Sequence, residues 1–88
     1  MGAAIKIVVV DRGWVFVGRV TTLEGDQVLI EQAQCIRRWG TTRGIGELRC
    51  GPSRATKYDP AGTVTVPGRA VIYILDVEGD AWTREIAS

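Results

Sequence analysis

Histidine is absent from these 88 residues. The commonest general base of enzymes is therefore missing, and a Cys–His nucleophile is excluded. Cysteine is scarce: Cys35 and Cys50 stand fifteen positions apart, with no CxxC pair. A structural zinc site usually takes four Cys or His ligands, so no metal is expected. A Cys35–Cys50 disulfide would need an oxidising compartment. Long apolar runs are also lacking, and no stretch approaches the length of a membrane span. The start, MGAAIKIVVVDRG, has too short an apolar run and no basic leader for a signal peptide. Its Met-Gly opening lacks the Ser or Thr that myristoylation wants at position six, where Lys6 stands. These absences predict a soluble intracellular protein with reduced thiols, no membrane contact and no cofactor.

The length makes one small domain, 1–88. Domains of this size bury a smaller share of their surface and are often marginal alone. With metal and disulfide set aside, self-association is the expected extra source of stability. Net charge is +1, too small for a general polyanion binder. The layout says more than the total. Residues 37–57 hold Arg37, Arg38, Arg43, Arg49, Arg54 and Lys57 against Glu47, a local charge of +5. The rest of the chain has five bases and nine acids, or −4. Such asymmetry points to a local anion partner or to a solvated basic loop.

The first half reads as strands. AIKIVVVD (4–11), WVFVGRVTT (14–22) and VLIEQAQCIRR (28–38) are rich in β-branched residues, the third with an expected break near Ala33. Arg12-Gly13 and Glu24-Gly25-Asp26 supply the turns. The pattern then stops. Residues 39–62 contain five glycines and two prolines, with room for one short helical turn around Gly46 to Cys50. TVTVP (63–67) and RAVIYILDV (69–77) resume it, and the polar tail has one apolar anchor, Trp82. Five strands and one long irregular insertion at about 39–62 predict an all-β fold, a small barrel or sandwich of SH3-like or OB-like kind.

Alternation fails in an informative way. In 7–10 every residue is apolar, and in 14–17 Val15 and Val17 oppose Trp14 and Phe16. In 71–75, Val71, Tyr73 and Leu75 oppose Ile72 and Ile74. One small layer does not easily cover two apolar faces: either the barrel closes tightly or a second subunit covers the outer face, and a homo-oligomer is the favoured expectation.

Catalytic groups are hard to find. Asp11, Glu47 and Asp59 show no diagnostic spacing, and Asp76, Glu78 and Asp80 read as a solvated turn. A binding protein is expected, not an enzyme. Nine of the eleven bases are arginine, whose planar fork pairs with phosphate oxygens and stacks on flat rings. The candidate binding residues head the basic segment: Arg37, Arg38, Trp39, Thr41, Thr42, Arg43 and Gly44, with Tyr58 and Asp59 closing it. Trp39 reads as a stacking platform or as a core tryptophan capping the barrel. Tyr58 reads as a second ring or as a core anchor. Asp59 reads as an acceptor for a base edge or an arginine, or as the opener of a turn before Pro60. Gly40, Gly44 and Gly46 would let backbone N–H groups approach a ligand. No Walker loop and no dinucleotide fingerprint is present.

IRRWGTTRGIGEL, Gly51-Pro52 and DPAGTVTVP resemble a family of short bacteriophage proteins. The shared pattern covers roughly residues 5–75. The resemblance implies a phage context and no particular chemistry. By analogy of size, charge and context, it is similar in kind to phage proteins that sequester cyclic-nucleotide or cyclic ADP-ribose immune signals. The implied function is capture of such a signal, without turnover, in the host bacterial cytoplasm. The 37–59 loop would meet its copy at a subunit interface. Arg37, Arg38 and Arg43 would hold phosphates, Trp39 or Tyr58 would stack, and Thr41 and Thr42 would bond phosphate or ribose. A single-stranded nucleic-acid binder would use the same residues along an open groove. A phage structural or protein-interaction module is the third reading.

Overall fold

The computed structural model describes residues 4–87. Five strands form: β1 (Ile5–Val10), β2 (Trp14–Thr22), β3 (Val28–Arg38), β4 (Lys57–Val66) and β5 (Val71–Asp76). A short helix, α1 (Thr83–Ala87), ends the described chain. All neighbouring strands are antiparallel, in the order β4-β3-β2-β1-β5. The expected all-β fold is present as one five-stranded sheet. β4 and β5 remain its two edges, so the sheet is not a closed barrel. No helix among the described residues is long and apolar enough to cross a membrane.

The continuous apolar run 7–10 has a direct cause: both faces of β1 are buried, whereas Ile72, Tyr73 and Ile74 of the edge strand β5 stay exposed. Val8 and Val10 of β1 join Val28, Ile30, Ala33 and Val66 in one cluster. Val64 of β4 and Val71 of β5 pack against it, so the edges curl toward each other around these side chains. On the other face Ile7, Val9, Val15, Val17 and Ile36 form a second cluster. The chain covers that face itself, with Leu48 from a 3-10 turn (Ile45–Cys50) and with Trp82 and Ile86 from the C-terminal segment. The insertion and the tail thus supply a covering layer on this face from within the chain.

Bulges decide which face each residue meets. β3 is continuous where a break near Ala33 was expected, but its register shifts between Ile30 and Ala33. Gln32 takes φ +53 there, and its Oε1 accepts a hydrogen bond from Arg19 Nε at 3.0 Å. Gly18 faces this bulge, where an added Cβ would lie 2.7 Å from the Glu31 carbonyl oxygen. A second shift at Val9/Val10 lets Val71 join one cluster and Leu75 the other. β4 starts at Lys57, so the irregular insertion is shorter than the expected 39–62. Pro60 is tolerated because β4 is an edge strand.

Candidate ligand-binding surface

β3 delivers the first two arginines at its end. Arg37 lies on the face of Cys35, and the register sets Cys35 against Asp59 of β4. Arg37 Nε accordingly forms an ion pair with Asp59. Both side chains are more than half exposed, so the pair adds little stability and acts mainly to orient the guanidinium. Arg38 points the other way and stands directly opposite Lys57. Both are exposed, and neither has an ion-pair partner among the described residues. Like charges facing each other across a strand pair are unfavourable.

The loop beyond is tied at its base. Thr56 Oγ1 donates to the Trp39 carbonyl at 2.6 Å, and Ser53 Oγ donates to the Gly40 carbonyl at 2.6 Å. Gly40 has φ +66, and a Cβ there would run into the backbone of Ala55 and Thr56. This glycine therefore serves a close approach of two chain segments. The Trp39 backbone is held while its side chain is 42% exposed. The core tryptophan is Trp82, fully buried, whose indole N–H donates to the Leu48 carbonyl at 2.6 Å. Tyr58 packs edge-on against Trp82, ring centroids 5.5 Å apart, and so belongs to the same apolar cluster.

The remaining residues divide further. Thr42 Oγ1 donates to Glu47 Oε2 at 3.2 Å, and Thr41 is half-buried. Arg43 is exposed and makes no ion pair among the described residues. The Gly44 carbonyl accepts from Glu47 N–H at 3.2 Å at the start of the 45–50 turn, and Gly44 itself has φ +105. Open space surrounds Gly44 and Gly46. Trp39 is thus the large exposed ring of the segment, with Arg38 and Arg43 near it in sequence.

Arg37 also lines a depression that sequence reading did not identify. Arg12, Gly13, Trp14, Cys35 and Ile36 complete its wall, and its volume is about 390 Å³. Arg12-Gly13 reads as a turn signal and Trp14 as a strand residue. The pairing of Phe16 with Cys35 is what brings Trp14 toward Arg37, and no local pattern encodes it. Both thiols are free. Burial raises the pKa of Cys35, and the Asp59 charge adds to this while Arg37 opposes it.

Cys50 is exposed and donates to Glu78 Oε2 at 3.3 Å. That hydrogen bond, with the Glu78 charge behind it, raises the pKa of the thiol. Glu78→Gln is therefore expected to move the pH profile of Cys50 alkylation by iodoacetamide to lower pH. Peptide mass spectrometry reads the rate, and an unchanged profile would contradict the hydrogen bond.

The fold and this surface define a class: a small antiparallel β domain with a basic, tryptophan-bearing end. No protein-family model matches the chain, and no protein of curated function matches it.

Proposed function

We propose that the protein binds a nucleotide-derived anion at the Arg38–Trp39–Arg43 surface and sequesters it without turnover. The observation that carries this reading is the opposed pair Arg38 and Lys57, two exposed cations facing each other with no acidic partner among the described residues. A bound phosphate would turn that repulsion into two charge-assisted hydrogen-bonded contacts. Trp39, next in sequence, offers an exposed ring, and base stacking on such a ring is worth about 1–3 kcal/mol. Arg37 and Asp59 act here as an oriented pair, and Thr41, Thr42 and Gly44 shape the loop between the two arginines. The resemblance to short phage proteins supports a phage context and with it the bacterial cytoplasm, and the choice of a nucleotide-type immune signal as ligand follows by analogy of size, charge and context. Self-association belongs to this reading. The exposed run Ile72, Tyr73 and Ile74 on the β5 edge is where a second copy has most to gain.

Thermal shift against cyclic di- and trinucleotides and cyclic ADP-ribose isomers tests it. A ligand at one hundred times its Kd adds about 2.7 kcal/mol. In a domain of this size that raises Tm by about 10 °C or more. Arg38→Ala and Trp39→Ala are expected to abolish the shift while keeping the fold. No shift with any compound, together with salt-sensitive binding to single-stranded DNA, would replace this reading with nucleic-acid binding. Absence of both would leave the protein-interaction reading.

A further inference from the structure

We propose that the depression between the 11–13 hairpin and the end of β3 binds a planar aromatic ring carrying an anionic group, with Trp14 as the stacking face and Arg12 and Arg37 as the anion-binding groups. This site does not require the Arg38–Trp39–Arg43 loop to bind anything.

Four observations converge. Trp14 opens β2 yet is 57% exposed, an indole left uncovered while its neighbour on the same face, Phe16, packs into a cluster. Exposed indoles in a concave setting are favoured stacking surfaces. The cavity, about 390 Å³, falls within the roughly 300–1,000 Å³ of small-molecule sites. Ile36 and the half-buried Cys35 contribute to its wall. Burial and the nearby Asp59 favour the neutral Cys35 thiol, so the wall adds no competing negative charge.

Arg12 is the third observation. It takes φ +67, a left-handed conformation that glycine or asparagine adopts with less strain. The turn that sets this conformation puts Arg12 in the wall of the depression, one cationic residue on its hairpin side. Arg37 is the fourth. Asp59 engages it through Nε, which fixes the side chain from one flank. A guanidinium has five N–H donors, so the Nη fork stays available for two anion oxygens. Asp11 and Asp59 are the acids near these arginines, which suits a singly or doubly charged group better than a polyanion.

The three tryptophans allow a direct test, because each gives one indole N–H signal in a 1H–15N spectrum. Single Trp→Phe variants assign the signals. The probes are the four nucleoside 5′-monophosphates, with adenosine and inorganic phosphate as controls. Saturable movement of the Trp14 signal with at least one nucleotide is expected, and weaker or no movement with either control. Arg12→Gly relieves the backbone strain and keeps the fold, yet is expected to weaken binding at least fivefold. A Trp14 signal unmoved by millimolar nucleotide in a folded sample overturns the proposal. So does Arg12→Gly with unchanged affinity. Movement confined to Trp39 overturns this proposal; movement confined to Trp14 supports it and leaves the loop reading to the cyclic-nucleotide panel.

Discussion

Trp82→Ala is expected to remove about 3–5 kcal/mol of stability. Small domains have about 5–15 kcal/mol in total, so the variant should lie near the threshold of folding. The reason is position. Trp82 is fully buried between the 45–50 turn and the outer face of the sheet, beside Leu48, Ile86 and Tyr58. It is the largest of the fully buried side chains. Its loss opens a cavity in the layer that shields Ile7, Val9, Val15 and Val17 from water. It also removes one of the two hydrogen bonds to the Leu48 carbonyl, the indole N–H at 2.6 Å, and leaves that from Gly51 N–H at 3.0 Å. Trp82→Phe separates the two effects. It keeps much of the ring but not the donor, and should cost about 0.5–1.5 kcal/mol, the worth of one hydrogen bond, since the Leu48 carbonyl still accepts from Gly51 N–H. Urea unfolding with an unchanged m-value measures both. A loss below about 1 kcal/mol for the alanine variant would mean that the C-terminal segment is not a structural layer of the domain.

Gly40→Ala should be the most damaging single-methyl change in the basic segment, at about 3 kcal/mol. Part of this is the left-handed backbone at φ +66, which costs alanine about 1–2 kcal/mol. The rest is contact, because the new methyl would meet the Ala55 and Thr56 backbone and push apart the two segments that Ser53 and Thr56 tie together. Gly25→Ala provides the comparison. Gly25 also has positive φ, at +75, in the left-handed region, but nothing lies within 4 Å of a Cβ there. Only the backbone penalty applies, so the loss should be smaller by about the contact share. Equal losses in urea unfolding would place the whole effect in the backbone and remove the claim of a tight loop base. Because that base holds Trp39 in place, Gly40→Ala should also weaken any ligand that Trp39 binds.

Strand positions were legible because their signals are local. β-branched runs at 4–11, 14–22 and 28–38, bounded by Arg12-Gly13 and Glu24-Gly25-Asp26, match β1, β2 and β3 closely. The helical turn expected near Gly46 to Cys50 is the 45–50 turn that carries Leu48. β4 was legible only from residue 63, because Pro60 and Gly62 mask its first half. An edge strand tolerates both residues, but edge position is a property of the sheet. The candidate site was legible as composition and not as arrangement. Tyr58 and Trp39 look alike in sequence as aromatic neighbours of a basic residue, yet one packs on Trp82 and the other faces water.

The sequence alone determined an all-β domain, its hairpins, and a basic segment concentrated between residues 37 and 57. Each of these follows from propensity, turn chemistry or charge within a few neighbours. Tertiary structure decided which tryptophan is core, what covers the second apolar face, and which arginine has a partner. It also decided that Arg12 and Trp14 share a cavity with Arg37. These depend on strand register and on bulges at Gln32 and at Val9/Val10. A shift of one residue in pairing turns every side chain beyond it to the opposite face, and no local pattern records that choice.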